Sequence, residues 1–174
     1  ALVAALPAGE REALERNLAA VVAPALPALR MAGSYAAVGD EIDPMWIEKR
    51  IGPHAFPRIA GQDIMFHQAE WSELKPGFQN IPEPPATAPV VHPDVLLVPL
   101  LAVTLSGVRL GQGRGYYDRA LAALRRRQPV LAPVLAIGLA WECQIAPALV
   151  AEPWDMPLDM IATPQRLVDC RKSR

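Results

Sequence analysis

A glycine-rich loop that carries two cations is the part of this sequence best suited to chemistry. Between Leu105 and Gly115 the loop contains Arg109 and Arg114, and its glycines are Gly107, Gly111, Gly113 and Gly115. Glycines let backbone N–H groups turn inward and let a polyanion approach closely, and arginines neutralise phosphate charge. Asp118 follows in the first turn of a predicted helix, where a carboxylate can hold a Mg²⁺ ion that is already bound to phosphate. The pattern therefore indicates a phosphate site.

The same pattern also has a purely structural interpretation, in which the glycines close a tight turn and Asp118 only caps a helix. The glycine spacing does not match the dinucleotide-binding fingerprint, and the loop lacks the Gly-Lys-Ser/Thr of the Walker loop. Spacing alone leaves both interpretations open.

The elements on either side must position this loop. Residues 95–103 form an apolar run of strand length, and the helix predicted over Tyr116–Arg127 ends in three arginines, which suit the negative end of a helix dipole. Further helices are predicted at Ala8–Val22 and, after Asp43-Pro44, as far as Gly52. Further strands are predicted at residues 31–38, 55–59, 64–68, 130–139 and 159–163, the last of them at an edge, whereas the proline-rich residues 75–93 predict an irregular loop.

Strands that alternate with helices predict an α/β fold, a three-layer domain with a mainly parallel central sheet flanked by helices. In such a sheet ligands collect at the carboxyl ends of the strands, and the glycine-rich loop follows one of those ends.

Composition narrows the class of protein. The chain has 174 residues, of which 52% are hydrophobic and 20% charged, and its formal net charge is −1. These values predict one globular domain and argue against a general nucleic-acid binder. Cys143 and Cys170 do not form a close pair, which is typical of a reducing compartment rather than a disulfide framework. No apolar run reaches the ~20 residues that span a bilayer and no secretory signal is visible, so we expect a cytoplasmic location.

The residue identities in the loop indicate a family more specifically than the glycine spacing does. Residues 109–119 read RLGQGRGYYDR, which resembles the signature of the 5-formyltetrahydrofolate cyclo-ligase (methenyltetrahydrofolate synthetase) family. Other family segments are similar to YAAVGDEI at residues 35–42, NIPEP at residues 80–84 and AEPWDMPLDMIAT at residues 151–163.

The resemblance implies a role for each matching residue. Arg109, Arg114, Tyr116 and Asp118 would be catalytic, and Asp118 and Asp155 would hold Mg²⁺. The phosphates of ATP would contact Arg109, Leu110, Gly111, Gln112, Gly113, Arg114, Gly115, Tyr116 and Tyr117. The folate would contact Ala36, Glu41, Gln112, Gly113, Arg114, Gly115 and Tyr116. A carboxylate at Glu41 suits a pterin, whose ring offers paired N–H donors.

The implied reaction is the ATP- and Mg²⁺-dependent closure of 5-formyltetrahydrofolate to 5,10-methenyltetrahydrofolate, with release of ADP and phosphate. We expect a monomer that takes a small-molecule folate and binds neither nucleic acid nor a membrane. An alternative is a non-catalytic folate- or nucleotide-binding protein, and a third is an ATP-dependent ligase or kinase that acts on another small substrate.

The chain departs from the family pattern in three places. The family opens with Lys-x-x-Leu-Arg, which contributes cations to the nucleotide, and residues 1–174 are expected to form a single cyclo-ligase-like domain without that segment. Val103-Thr104 stands where the family usually has Phe-Asp, and Trp154 stands where it usually has His.

Overall fold

The computed structural model describes residues 6–26, 30–127 and 133–173. Within these ranges it contains three α-helices, α1 (Ala8–Val22), α2 (Met45–Ile51) and α3 (Tyr116–Arg127). Helix α2 follows Pro44, a residue that suits a helix start, and it stops at Gly52, whose φ of +84° lies in the left-handed region. The bounds predicted for these helices are confirmed.

The strands of the described residues are β1 (Ala32–Gly33), β2 (His54–Ala60), β3 (Asp63–Gln68), β4 (Lys75–Pro76), β5 (Pro82–Glu83), β6 (Val90–Val91), β7 (Val95–Val98), β8 (Ala102–Val103), β9 (Arg109–Leu110), β10 (Leu135–Leu139), β11 (Met160–Ala162) and β12 (Leu167–Asp169). Eight of them form the central sheet, in the order β12-β11-β10-β7-β1-β2-β3-β6. Strands β11, β10, β7, β1 and β2 run parallel, and the outer pairings are antiparallel. Two-stranded ribbons formed by β4 with β5 and by β8 with β9 lie outside this sheet.

Strand β7 shows why the domain has three layers. Its four residues are all buried, and successive side chains of a strand point to opposite faces of the sheet. Leu96 and Val98 belong to a core shared with α3, whereas Val95 and Leu97 belong to a core shared with α1 and α2. The predicted fold class, a mainly parallel sheet between helical layers, is confirmed.

Several strand predictions were wrong in extent. The strand predicted at residues 31–38 is limited to Ala32–Gly33, and the last backbone hydrogen bond to β2 is the one of 2.8 Å from Ser34 to the carbonyl oxygen of Ala55. The apolar run 95–103 breaks at Pro99, which has no N–H group to donate to a ladder, and Ala102–Val103 pairs instead with Arg109–Leu110. The strand predicted at residues 159–163 exists as β11 but is not an edge, since β12 pairs along its outer side.

The proline-rich segment and the strand that precedes Ala140 differ in part from their predictions. Residues 75–93 are irregular over most of their length, but they contain the short strands β4, β5 and β6. Of the strand predicted at residues 130–139, residues 130–132 lie outside the described residues, and the remainder forms β10. Over the described ranges, none of the helices combines the length and the apolar character needed to cross a bilayer.

Candidate active site

A cavity of about 510 Å³ lies at the carboxyl ends of β1 and β7. This position is the one expected for ligand sites in a parallel sheet, where helices cover both faces and the strand ends stay open. The cavity is lined by the chain leaving β1, the residues after β7, the glycine-rich loop, the segment around residues 78–83 and the turn at residues 150–155. Every site residue predicted from the sequence except Gly115 lines this one cavity.

The glycine-rich loop begins as a hairpin of β8 and β9. Gly107 closes the hairpin turn with φ +89°, and a side chain at this position would place its Cβ 2.5 Å from the carbonyl oxygen of Leu158. Gly113 and Gly115 also have left-handed φ values, 77° and 63°. Three of the glycines therefore adopt turn conformations, as the structural interpretation requires, and this does not conflict with the predicted phosphate site.

Arg109 and Asp118 form an ion pair at the wall of the cavity. The guanidinium NH2 of Arg109 lies 2.6 Å from Asp118 Oδ1, and its NH1 donates to the carbonyl oxygen of Met156. Asp118 Oδ1 also accepts a hydrogen bond of 2.9 Å from the backbone N–H of Met156. Arg109 is nearly buried, so this pair fixes the glycine-rich loop against α3 and against the chain at Met156.

Arg114 is the more available cation of the loop. It is exposed, it lines the cavity, and within the described part of the chain no carboxylate lies at ion-pair distance from it. Its guanidinium carbon lies 5.0 Å from the centre of the Phe78 ring, a favourable cation–π position. Arg114 is thus the cation that can turn toward an anionic ligand without breaking a salt bridge.

Glu41 and Ala36 line the same cavity, and Glu41 contacts the glycine-rich loop directly. Glu41 Oε2 accepts a hydrogen bond of 3.0 Å from the backbone N–H of Val38, and Oε1 accepts one of 3.3 Å from the side-chain amide of Gln112. Burial raises the pKa of Glu41 above its usual value, although these hydrogen bonds counteract the shift. Trp141 Nε1 donates to the carbonyl oxygen of Asp40 at 2.8 Å and so holds this segment in place.

The two tyrosines of the loop have different environments. Tyr117 is packed against the core below α3, and burial raises the pKa of its hydroxyl well above the usual value. Tyr116 lies beside Arg119, whose guanidinium carbon is 5.3 Å from the centre of the ring. The ring of Tyr116 therefore contacts a charged side chain, whereas the ring of Tyr117 contacts the core.

Asp118 and Asp155 line the same cavity, as the predicted metal role requires. Asp155 Oδ2 accepts a hydrogen bond of 2.8 Å from the backbone N–H of Glu152, and Asp118 uses Oδ1 for its contacts. Among the described residues, no group of three or more His, Cys, Asp and Glu side chains forms a ready metal cage. Two carboxylates beside the predicted phosphate site fit Mg²⁺, which is usually bound by one or two carboxylates together with substrate phosphates.

Several lining residues were missed from the sequence. Glu83 and Phe78 come from the proline-rich segment, and Trp154 extends from the 150–155 turn with 68% of its surface exposed. The NIPEP string drew attention to Glu83 without indicating a role. The sequence offered only the position of Glu83 between two prolines; its burial, which marks it as a paired acid, appears only in the structure.

The family model described as the 5-formyltetrahydrofolate cyclo-ligase family matches residues 44–164. The chain belongs to this family. The match contains the glycine-rich loop, Asp118 and Asp155, whereas Ala36 and Glu41 precede it. The resemblance noted in the sequence is thereby confirmed.

Curated relatives and solved structures agree with the family. The 5-formyltetrahydrofolate cyclo-ligase of Escherichia coli K12 is 36% identical over 121 residues, which are 66% of this chain and 63% of that protein. A cyclo-ligase of Mycolicibacterium smegmatis is 34% identical over 106 residues, 56% of this chain and 52% of that protein. The match thus spans less than two thirds of the length of these relatives.

Two solved structures cover more of the chain. The NMR structure of the Aquifex aeolicus 5,10-methenyltetrahydrofolate synthetase has a TM-score of 0.78 and 26% identity, covering 97% of this chain and 87% of that one. The Mycoplasma pneumoniae 5,10-methenyltetrahydrofolate synthetase has a TM-score of 0.69 and 23% identity, covering 94% of this chain and 92% of that one. The second likeness is evidence for the cyclo-ligase fold alone.

Proposed function

We propose that this protein is an ATP- and Mg²⁺-dependent 5-formyltetrahydrofolate cyclo-ligase. It would convert 5-formyltetrahydrofolate to 5,10-methenyltetrahydrofolate and release ADP and phosphate. The observation that carries the proposal is the single cavity lined by both the glycine-rich loop and Glu41, which are in direct contact through Gln112. A phosphate donor and a pterin need these two kinds of residue within reach of each other.

The folate half of the proposal depends on Glu41. A carboxylate can accept two parallel N–H bonds from a pterin, and such charge-assisted pairs are strong. In the free protein the Glu41 carboxylate already accepts hydrogen bonds from Val38 and Gln112, so its position is fixed before the ligand arrives. Ala36 would contact the same ring.

The phosphate half depends on Arg114 and on the backbone of the glycine-rich loop. The loop N–H groups and the Arg114 guanidinium would bind the transferring phosphoryl group, and Arg109 would hold the loop through Asp118. Mg²⁺, when bound with ATP, would neutralise charge on the β- and γ-phosphates. Asp118 and Asp155 are the residues that would hold it.

The chemistry needs no side-chain nucleophile. The formyl oxygen of the substrate attacks the γ-phosphorus, and the bond from that phosphorus to the β-phosphate oxygen breaks to release ADP. The neighbouring folate nitrogen then attacks the activated formyl carbon, loses its proton, and expels phosphate together with the former formyl oxygen. The protein contributes positioning and electrostatic stabilisation, which dominate phosphoryl transfer.

The test is an absorbance assay with 5-formyltetrahydrofolate, ATP and Mg²⁺, because the methenyl product has its own near-ultraviolet band. We expect the band to grow only when ATP is present. Arg114→Ala should slow its growth by about 10²-fold, the usual effect of removing one group that stabilises transition-state charge. Arg126→Ala, at an exposed arginine near the far end of α3, is the matched control and should leave the rate unchanged.

The outcomes separate the alternatives. Calorimetric binding of folate and nucleotide without product would identify a non-catalytic binding protein. ATP binding without folate binding would indicate a ligase or kinase for another small substrate, and either result would contradict the proposal.

A further inference from the structure

The ribbon of β4 and β5 places a tight turn against the cavity. Lys75 pairs with Glu83 and Pro76 with Pro82, and residues 77–81 form the turn between them. The turn is closed by a hydrogen bond of 2.9 Å from the backbone N–H of Gly77 to the carbonyl oxygen of Ile81. Three side chains from this turn line the cavity, those of Phe78, Gln79 and Ile81.

One residue of the turn holds a conformation that its type does not favour. Gln79 and Asn80 have φ values of 53° and 67°, in the left-handed region, which asparagine tolerates but glutamine rarely adopts. Strained conformations of this kind concentrate at functional sites, where the surrounding structure supports them. The conformation of Gln79 therefore indicates a contact that fixes the turn from outside.

The carboxylate of Glu83 does so. This side chain is buried, and its Oε1 accepts hydrogen bonds of 3.3 Å from the backbone N–H of Phe78 and 3.4 Å from that of Ile59. Its Oε2 lies 3.3 Å from NH1 of Arg58, which also donates to the carbonyl oxygen of Pro84 at 2.8 Å. One acid thus ties the turn to strand β2.

Gly77 allows this contact. A Cβ at position 77 would lie 2.4 Å from Cδ of Glu83 and 2.6 Å from its Oε2, distances that real Cβ atoms do not show. The absence of a side chain at Gly77 lets the carboxylate reach the backbone N–H of Phe78. The contact between Glu83 and Phe78 therefore requires glycine at position 77.

We propose that Glu83 is a positioning residue for the folate half of the cavity. It fixes the turn so that Phe78 and Ile81 form an apolar wall against the flat rings of the folate. Apolar side chains offer no hydrogen-bond donors to phosphate, whereas Arg114, which lies on the Phe78 ring, marks where this wall meets the proposed phosphate site. The assignment of the wall to folate rests on the proposed function.

Steady-state kinetics and calorimetry on the whole chain test this. Glu83→Gln should raise KM and the dissociation constant for 5-formyltetrahydrofolate about tenfold, the factor expected from weakening one charge-assisted hydrogen bond. The KM for ATP and kcat should change little. Phe78→Leu should act in the same direction, and because Phe78 is 39% exposed this variant should fold even if Glu83→Gln does not.

A double variant distinguishes a positioning role of Glu83 from general destabilisation of the protein. The double variant Glu83→Gln/Phe78→Leu should be no worse than its poorer single variant, because both changes remove the same wall. Glu73→Gln is the control, since Glu73 accepts a hydrogen bond from the backbone N–H of Glu70 in the same segment but does not line the cavity. It should leave the folate KM unchanged.

Three results would overturn the proposal: an unchanged folate affinity in Glu83→Gln, an equal rise in both KM values, or single effects that multiply in the double variant. Calorimetry keeps this test separate from the proposed function. If the wild-type protein binds folate without turnover, the cyclo-ligase proposal fails while the positioning role is still decided by the binding constants. If it binds no folate, the assignment of the wall fails.

Discussion

Replacing Glu41 with glutamine should remove the charge that a pterin requires while keeping the size of the side chain. The amide oxygen of the variant can still accept the hydrogen bond from Val38, so the local structure should persist. Hydrogen bonds to charged groups contribute about 1.5–3 kcal/mol. Since each 1.4 kcal/mol corresponds to a factor of ten, folate affinity should fall about 10- to 150-fold.

The pH dependence gives a second, independent readout of the same change. Burial raises the pKa of Glu41, so the carboxylate takes up a proton at a higher pH than an ordinary glutamate does. Only the ionised form can accept both N–H groups. Wild-type folate affinity should therefore be greatest above the raised pKa and fall as the pH drops through it, whereas the affinity of the glutamine variant should not show this step.

Isothermal titration with 5-formyltetrahydrofolate and, separately, with a non-hydrolysable ATP analogue measures both effects. ATP affinity should be unchanged, because no phosphate is expected to contact Glu41. The reasoning would be refuted by a variant that binds folate as tightly as the wild type does. It would also be refuted by a variant that loses folate and nucleotide affinity equally.

Three further substitutions test other parts of the structure. Asp118→Asn removes the counter-charge of the nearly buried Arg109, and should lower the free energy of unfolding by about 1–3 kcal/mol as well as turnover; an unchanged thermal melt would contradict the ion pair. Gly107→Ala should destabilise the protein by at least ~2 kcal/mol, a melting temperature lower by ~4–8 °C, because its φ is +89° and its Cβ would meet a backbone oxygen; Gly111→Ala, where nothing lies within 4 Å, should not. Burial raises the pKa of Glu48, so the stability that this group contributes is fully present below the ordinary glutamate pKa and is lost as the pH rises through the raised pKa. In Glu48→Gln the melting temperature should therefore fall less over that pH window. Identical pH profiles of the melting temperature in the variant and the wild type would refute this.

Local signals explain which elements could be predicted. Both ends of helix α3 were predicted correctly because each has a local signal: Gly115 directly precedes the helix, and three arginines end it. The strand predicted at residues 31–38 was wrong in extent because its apolar residues have two roles. Ala32 pairs in the sheet, whereas Tyr35 and Ala36 lie beyond the paired residues and line the cavity. A run of hydrophobic residues indicates burial, but it does not indicate whether backbone hydrogen bonding to the neighbouring strand continues.

The site could be predicted only where its residues are adjacent in the chain. The glycine-rich loop forms a continuous string, and most of its predicted members do line the cavity. The role of Glu83 was missed because two of its partners, Arg58 and Ile59, are remote in the chain, with Ile59 24 positions away. The ion pair between Arg109 and Asp118 was also missed, because both residues were assigned roles toward a ligand and not toward each other.

The exposed indole of Trp154 gives the protein an optical reporter at the mouth of its own cavity. Trp141, by contrast, is only 4% exposed and faces the core around α1. An indole in water emits at longer wavelength than one in an apolar environment, so a ligand that displaces water from Trp154 should shift part of the emission to the blue. Removing that signal with Trp154→Phe would assign it to this residue. Occupancy of the cavity can then be followed in real time on the unlabelled protein, including during the interval between ligand arrival and product release.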